Sequence, residues 1–341
     1  MSELHKSISE LLVEERRAGL VECEYAGHVC GISDTGEIRY FVGNPRHMTF
    51  MRSAAKPFQA LPAFKHGIAD QYGFTGKEQA ITTASHRSEP FHVDVLESML
   101  GKIGIDEQEL VCHSSYPLNE RARDTLVAEG KPPRRLYHNC SGKHLGVLAY
   151  CKSKGYPLEG YEQLDHPVQQ EILETLAEMA DYPQEQIHIG IDGCGFPVFA
   201  IPLANAAKAY LKLACPDLIG NADSEAAVSH MTGMMNKHYE MVSGSDMICS
   251  SLLMDDNIVA KGGAQGVYCF GLRKERMAFA LKVMDGSESK WALIVASILE
   301  QIGYTNADTI ARLYRLCPEQ TVNGSGTAVG EQQAVFRLEK V

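Results

Sequence analysis

A serine and a lysine three residues apart lie in the segment Arg52–Phe58, which reads RSAAKPF. On a helix, residues three apart share a face with Cβ atoms about 5–6 Å apart, so the Ser53 hydroxyl and the Lys56 amine could meet. Serine needs a base to act as a nucleophile, and burial can lower a lysine pKa to roughly 7–8, which suits that base. Pro57 has no N–H and is well tolerated only in a first helical turn, which predicts a helix that begins near Ser53. The same spacing also fits a surface serine beside an unrelated lysine.

Two more residues of the same types follow. Ser85 comes after a predicted helix, and Lys261 precedes Gly262-Gly263 on a predicted strand. A helical S-x-x-K, then a loop serine, then a strand lysine followed by glycine is the motif order of penicillin-binding proteins and serine β-lactamases. Small residues after the strand lysine let a substrate approach the backbone, whose N–H we expect to form an oxyanion hole with that of Ser53. The set predicts acyl transfer by serine and lysine.

Two of the cysteines lie in polar, glycine-bearing loops. Cys140 stands in HNCSGKH, and Cys194 stands in DGCGFP. A lysine at 143 and a helix that begins there should lower the pKa of the Cys140 thiol. Two thiolates and a nitrogen donor could hold Zn²⁺, and the residues alone suggest His138 or His144 as the third ligand. The sequence has no CxxC or HxxxH pair in these loops, so spacing does not establish a metal site.

Composition limits the class of protein. The chain has 341 residues, of which 45% are hydrophobic and 22% charged, as in ordinary globular proteins. Its net charge of -11 argues against a nucleic-acid partner or an anionic membrane, because both favour a basic surface. The first 19 residues lack a long apolar segment and no stretch approaches 18 apolar residues, so we expect neither a secretory signal nor a membrane span. Ten cysteines without a signal indicate reduced thiols and a cytoplasmic protein.

Patterning predicts strands at both ends and helices between them. Residues 21–25, 28–32 and 38–42 read as early strands, and 257–260, 267–270, 277–283 and 335–338 as late ones. Helices are predicted at 75–83, 88–103, 119–129, 143–154, 167–180, 204–214, 223–239, 245–254 and 291–302. The pattern indicates an α+β fold with an antiparallel sheet built from both chain ends and covered by helices. Without an internal repeat or a linker, we expect one two-lobed domain over 1–341, with a helical lobe at 67–254 and a sheet lobe from 20–52 and 255–341.

Four blocks of the sequence together resemble the rhizobial-type L-asparaginases, also called the class 3 or asparaginase II family. The blocks are RSAAKPF at 52–58, ASH at 84–86, HNCSGKH at 138–144 and GIDGCGFP at 190–197. The last two are long and specific, and the match extends from the N-terminal strands to at least Gly266.

The resemblance implies a serine β-lactamase-like fold and hydrolysis of L-asparagine to L-aspartate and ammonia. Carried over by motif, it implies two Ser-Lys pairs, Ser53 with Lys56 and Ser85 with Lys261, and a zinc site of Cys140, Lys143 and Cys194 with Asp192 beside it. A lysine ligand is unusual because the amine must be neutral to bind a metal. The glycine after Lys261, where the wider fold often has a hydroxyl, weakens any expectation of β-lactam or peptidoglycan activity.

We expect an acyl-enzyme mechanism in which Ser53 attacks the side-chain carboxamide, because it lies at a predicted helix start, while Ser85 and Lys261 relay protons. The reverse assignment of the two serines is the alternative. Arg52 is expected to bind the substrate carboxylate and Asp192 the substrate ammonium. Zinc is expected to orient substrate or hold the loops, since no open three-ligand site with a bound water is evident.

Three other functions fit parts of the pattern. A serine-lysine glutaminase would differ by one methylene in its substrate, which a pocket distinguishes by only about 1–3 kcal/mol. A non-catalytic, metal-dependent binding protein would use Cys140 and Cys194 but would not need the serine-lysine sets. A periplasmic enzyme that reacts with β-lactams is disfavoured by the expected lack of a signal. A small-molecule substrate and, from base rates alone, a homodimer complete these predictions.

Overall fold

The computed structural model describes residues 9–341. The expectation about a secretory signal depends partly on residues 1–8, which lie outside the described residues. Over the described chain, no helix is long and apolar enough to cross a membrane.

The strands run in chain order, and their bounds are β1 (Glu10–Arg17), β2 (Leu20–Ser33), β3 (Ile38–Val42), β4 (Met48–Phe50), β5 (His188–Ile191), β6 (Pro197–Pro202), β7 (Ile258–Gly262), β8 (Val267–Leu272), β9 (Met277–Val283), β10 (Gln320–Val322), β11 (Ala328–Ala334) and β12 (Glu339–Lys340). The α-helices are α1 (Lys56–Lys65), α2 (Ile68–Tyr72), α3 (Gly76–Ile81), α4 (Pro90–Ile103), α5 (Glu120–Ala128), α6 (Ser141–Lys154), α7 (Pro167–Ala180), α8 (Leu203–Ala214), α9 (Ala222–Lys237), α10 (Tyr239–Val242), α11 (Ile248–Leu253), α12 (Trp291–Gln301) and α13 (Ala307–Leu316).

A nine-stranded sheet joins the two ends of the chain. Its main path is β10-β11-β1-β2-β9-β8-β7, and β3 pairs with both β2 and β12. The paired strands are antiparallel, for example Cys30 opposite Ala280 and Lys261 opposite Cys269. β7 therefore ends the main path, which leaves its outer edge for helices to cover. A second, three-stranded sheet has the order β4-β6-β5 and leads the chain from Phe50 into the turn before α1.

Two apolar cores lie on the two sides of the large sheet. One contains side chains of the central helices, such as Phe58, Leu148 and Tyr210. The other lies between the sheet and α11 to α13, and includes Phe270 and Trp291. Because α8 packs directly on β2, β8 and β9, it connects the helical region to the sheet.

The predicted α+β fold, with an antiparallel sheet from both chain ends, is confirmed. Local signals set several helix ends: Thr75 and Glu78 form a capping box on α3, and a proline opens α4 and α7. The single two-lobed domain with the stated boundaries stays a prediction.

Some predicted elements differ from those observed. The two early strands are one long strand, β2, which runs through Ala26 and Gly27. The predicted strand at 335–338 is wrong, since β11 ends at Ala334 and β12 begins at Glu339. The patterns do not predict β1, β4, β6, β10, β11, α2, α10 or α13. In β1, four consecutive charged residues at 14–17 obscure the alternation by which a half-buried strand is recognised.

Candidate active site

A short 3-10 turn at Arg52–Ala55 precedes α1 and carries Ser53. Pro57 lies in the first turn of α1, as its missing N–H predicts. Arg52 has φ +50°, a left-handed conformation that is rare for residues other than glycine. Such strained residues persist where the surrounding structure holds them, and they concentrate at functional sites.

The Lys56 side chain is buried and its amine meets three oxygens. Nζ donates to Ala84 O at 2.5 Å, to Ser85 Oγ at 2.9 Å and, more weakly, to Asn139 O at 3.4 Å. The local spacing predicts that this amine faces Ser53. In the structure it reaches across to the loop after α3 instead.

The Lys261 side chain is buried as well and approaches the same serine from the end of β7. Its Nζ lies 2.9 Å from Ser85 Oγ and 2.7 Å from Gly262 O. The family resemblance implies that Ser85 pairs with Lys261, and the two side chains are in contact. Ser85 thus stands between two buried amines.

The Ser85 loop is held on both sides. Its backbone N–H donates to Val242 O at 2.9 Å. The next residue, His86, is fully buried, and its Nε2 lies 2.9 Å from the hydroxyl of Ser141 at the start of α6. A Cβ added to Gly142 would lie 2.4 Å from Ile81 O, so only glycine allows α6 to pack this closely on the end of α3. This packing brings the cysteine loop at 138–144 against the Ser85 loop.

Burial determines the ionisation of the site lysines. It lowers the pKa of Lys261 to about 8, and the nearby Lys56 acts in the same direction. Burial also lowers the pKa of Lys56, although the charges of Cys140 and Cys194 oppose this. The pKa of His86 lies well below its ordinary value because of burial and the neighbouring His92 and Lys56. His86 is therefore neutral, and Lys261 can lose its proton near neutral pH.

Arg52 and Asp192, expected to bind opposite ends of a substrate, bind each other. Arg52 Nη2 and Nε lie 2.7 Å and 3.1 Å from Asp192 Oδ1. Burial alone would raise the pKa of Asp192, but the hydrogen bonds and charge of Arg52 hold it below its ordinary value. The Gly193 N–H also donates to Asp192 Oδ1, at 2.7 Å. The site thus presents a fixed cation and a fixed anion side by side.

Cys140, Lys143 and Cys194 form a buried cluster beside Lys56. Lys143 Nζ lies 3.2 Å from Cys194 Sγ and 3.8 Å from the centre of the Phe196 ring. A hydrogen bond to Cys194, with the charges of Lys56 and Lys143, holds the pKa of the Cys140 thiol well below its ordinary value. Although burial opposes it, the charges of Cys194 and Cys140 raise the pKa of Lys143.

The donor atoms of this cluster fit a zinc ion, provided that Lys143 is deprotonated. A thiolate at Cys140 and a second sulfur at Cys194 are the donors that zinc prefers. Over residues 9–341, no three His, Cys, Asp or Glu side chains form a metal-binding group, so the third donor must come from another residue type. Lys143 supplies that donor only after it loses a proton. Of the histidines suggested as ligands, His138 accepts the Cys140 N–H at Nδ1, and His144 contacts Tyr161 OH through Nδ1 while its buried Nε2 has no hydrogen-bond partner among the described residues.

Sequence reasoning missed several residues that hold the site. Tyr210 OH donates to Ala54 O at 2.8 Å and thereby ties α8 to the turn that carries Ser53. Asn139 O and Ala84 O receive the Lys56 amine through their backbones, which no side-chain pattern can signal. His86 belongs to the ASH block, but its residue type alone indicates no role there.

The chain matches the model of the L-asparaginase II family over residues 13–334, and it therefore belongs to that family. Family membership makes it an amidohydrolase with a small-molecule substrate. No curated protein sequence matches the chain.

Several solved structures share part of the chain path. A β-lactamase from Mycobacterium bovis is 14% identical, with a TM-score of 0.41, over 81% of this chain and 94% of its own. A mutant class C β-lactamase is 12% identical, with a TM-score of 0.40, over 85% and 91%. A Bacillus glutaminase is 13% identical, with a TM-score of 0.33, over 77% and 84%.

Proposed function

We propose that this amidohydrolase converts L-asparagine to L-aspartate and ammonia through an aspartyl ester on a serine. The observation that carries the proposal is that Ser85 Oγ lies 2.9 Å from both Lys56 Nζ and Lys261 Nζ. A hydroxyl with a buried amine in reach satisfies the main requirement for an activated nucleophile.

The surroundings of the two lysines support different roles. Lys56 Nζ has three oxygen neighbours, which suits an ammonium with three N–H donors. Lys261, with a pKa of about 8, has a neutral fraction near physiological pH that grows as the pH rises toward 8, and it suits a general base. Ser85 Oγ then accepts a hydrogen bond from Lys56 and donates its own proton toward Lys261. This assigns the attack to Ser85, the alternative to the Ser53 that the helix start alone suggested.

In the proposed reaction, Ser85 Oγ attacks the side-chain carboxamide carbon while Lys261 accepts the hydroxyl proton. That proton passes to the nitrogen, the C–N bond breaks and ammonia leaves. Water then attacks the ester and gives one proton to Lys261, which returns it to Ser85 Oγ as L-aspartate is released. Asparagine and water are consumed, and aspartate and ammonia are produced.

The oxyanion is assigned to the Lys56 ammonium and the Ser53 backbone N–H at the positive end of α1. The N–H groups after Lys261, expected in this role from sequence, are engaged elsewhere. Gly263 N–H donates to Val267 O at 2.8 Å, and Gly262 N–H donates to Cys249 Sγ at 3.1 Å. The strand therefore supplies the base but not the oxyanion hole.

We also propose that Cys140, Lys143 and Cys194 hold Zn²⁺. When bound there, the ion would supply positive charge that fixes the two cysteine loops and orients the substrate. Because Lys56 contacts the Asn139 carbonyl next to Cys140, an ordered loop also fixes that amine. The homodimer and the cytoplasmic location predicted from sequence remain predictions.

The zinc proposal predicts that Cys194→Ala abolishes stoichiometric zinc binding, since one of three donors is lost. Metal content after dialysis and KM for L-asparagine are the measurements, and KM should rise more than kcat falls. Cys151→Ala, which removes an equally buried thiol on α6, is the control and should retain zinc. If the wild-type protein binds no zinc, or chelation without unfolding leaves kcat and KM unchanged, the metal has no such role.

The rate should depend on pH through the ionisation of Lys261. The neutral amine is the active form, so kcat/KM rises with pH through about 8 and is level above it. Initial rates of ammonia release between pH 6 and 10 measure this limb. A flat profile over that range, in an enzyme that stays folded, would contradict Lys261 as the base.

Substrate identity is tested by comparing kcat/KM for L-asparagine and L-glutamine. We expect asparagine to be preferred by about 10-fold or more, because one extra methylene is worth about 1–3 kcal/mol in a shaped pocket. The reverse preference would identify a glutaminase on the same site. Turnover of neither amide would support the binding-protein alternative.

A further inference from the structure

The position of the Lys261 amine depends on the backbone of the next residue. Lys261 Nζ lies 2.7 Å from Gly262 O and 2.9 Å from Ser85 Oγ. The Gly262 carbonyl is therefore one of the two oxygens that hold the amine in place. A displacement of Gly262 would move Lys261 Nζ relative to the serine.

Gly262 lies where the sheet gives its backbone no partner. β7 ends the main path of the sheet, and Gly263 N–H uses the β8 side by donating to Val267 O. Successive residues of an antiparallel strand point to opposite sides, so the polar groups of Gly262 face the outer edge. There the buried Cys249 of α11 accepts the Gly262 N–H at 3.1 Å. Tyr268 OH donates to the same sulfur at 3.5 Å.

Gly262 does not restrict its own backbone conformation. A Cβ added to Gly262 would lie 3.1 Å from Trp291 Cζ3 and 3.2 Å from Tyr268 Cε2, so the packing favours glycine. Glycine has more backbone freedom than any other residue, and another glycine follows it. The peptide that carries the Gly262 carbonyl is held on β8 through the Gly263 N–H, whereas the Gly262 N–H of the preceding peptide faces the outer edge and depends on the sulfur of Cys249.

We propose that Cys249 is a positioning residue for the reaction. By accepting the Gly262 N–H, it holds the peptide before Gly262 on the outer edge, and together with the Gly263 N–H bond to Val267 O this orients the carbonyl that holds Lys261 Nζ against Ser85. It acts through Lys261 and touches no substrate. The inference rests on the proposed function in so far as Lys261 is the base.

The test compares Cys249→Ala with Cys249→Ser, which keeps a hydrogen-bond acceptor. For Cys249→Ala, kcat should fall about 10- to 100-fold, the effect of misplacing a catalytic group by about an ångström, while KM for L-asparagine stays within about twofold. Cys249→Ser should recover most of the lost kcat. Cys30→Ala, which removes a fully buried thiol from β2 of the same sheet, controls for lost packing and should keep wild-type kcat.

Crystal structures of the same variants provide a readout that does not need turnover. The distance from Lys261 Nζ to Ser85 Oγ should lengthen in Cys249→Ala and stay near the wild-type value in Cys249→Ser and Cys30→Ala. An unchanged distance in Cys249→Ala, or equal kcat in Cys249→Ala and Cys30→Ala, would overturn the positioning role. Lys261→Met separates the two hypotheses: if that variant stays active, the base assignment fails, whereas the measured distance still decides the role of Cys249.

Discussion

Ser85→Ala should lower kcat for L-asparagine by about 10³-fold or more, because it removes the hydroxyl placed between two buried amines. Lys261→Met should cost roughly 10²- to 10⁴-fold, the usual contribution of a general base, and should remove the pH limb near 8. Steady-state ammonia release measures both effects. The loss should appear in kcat more than in KM, since neither side chain is assigned to binding the substrate.

The matched variant is Ser53→Ala, which deletes the same hydroxyl but keeps the backbone N–H assigned to the oxyanion. Both serines are partly buried, so urea unfolding should show similar stability for the two variants. We expect Ser53→Ala to lose less than about 10-fold in kcat. Mass spectrometry of acid-quenched enzyme should find the aspartyl ester on a peptide that contains Ser85. An ester on Ser53, with an inactive Ser53→Ala and an active Ser85→Ala, would reverse the assignment.

Features set by residues close in sequence could be predicted from the sequence, whereas contacts between residues far apart in the chain could not. Helix ends such as Thr75 and Pro167 depend on neighbours within one turn, so short patterns predicted them. The partner of Lys56 could not be predicted in this way. Spacing three along a helix suggested Ser53, but the amine is bonded to Ser85 and to backbone oxygens of residues 84 and 139.

The reason for that difference is tertiary packing. The Lys56 amine reaches the Ser85 loop across 29 residues of sequence, and the start of α6, with glycine at 142, packs against the end of α3 beside that loop. No local pattern specifies such an approach between segments about 60 residues apart in the chain. The motif blocks contain side chains that the structure brings into contact, such as Lys56 with Ser85 and Arg52 with Asp192. They could not specify which hydroxyl has a base in reach, because that depends on the path of the backbone between the blocks.

The Arg52–Asp192 pair should open when substrate binds, and its members should then recognise the two charges of an α-amino acid. The α-carboxylate would replace Asp192 on the Arg52 guanidinium, and the α-ammonium would bind Asp192 Oδ1, now 2.7 Å from Arg52 Nη2. A zwitterion leaves no charge unpaired after this exchange. A molecule with only one of the two charges leaves one protein charge without its partner, which is costly in a half-buried site.

Asp192→Asn should therefore raise KM for L-asparagine by roughly 10- to 100-fold, the range expected for a charged hydrogen bond, with a smaller change in kcat. The diagnostic measurement uses succinamic acid, which is asparagine without its α-amino group. Wild-type enzyme should prefer asparagine strongly, and Asp192→Asn should lose most of that preference because the group that reads the ammonium is gone. Likewise, Arg52→Met should lose most of the preference for asparagine over 3-aminopropanamide, which is asparagine without its α-carboxylate.

Asp217→Asn, which breaks an exposed ion pair with Arg276 outside the site, is the control and should leave KM unchanged. If Asp192→Asn keeps the full preference for asparagine over succinamic acid, the carboxylate does not bind the ammonium, and its ion pair with Arg52 serves only to hold the loop.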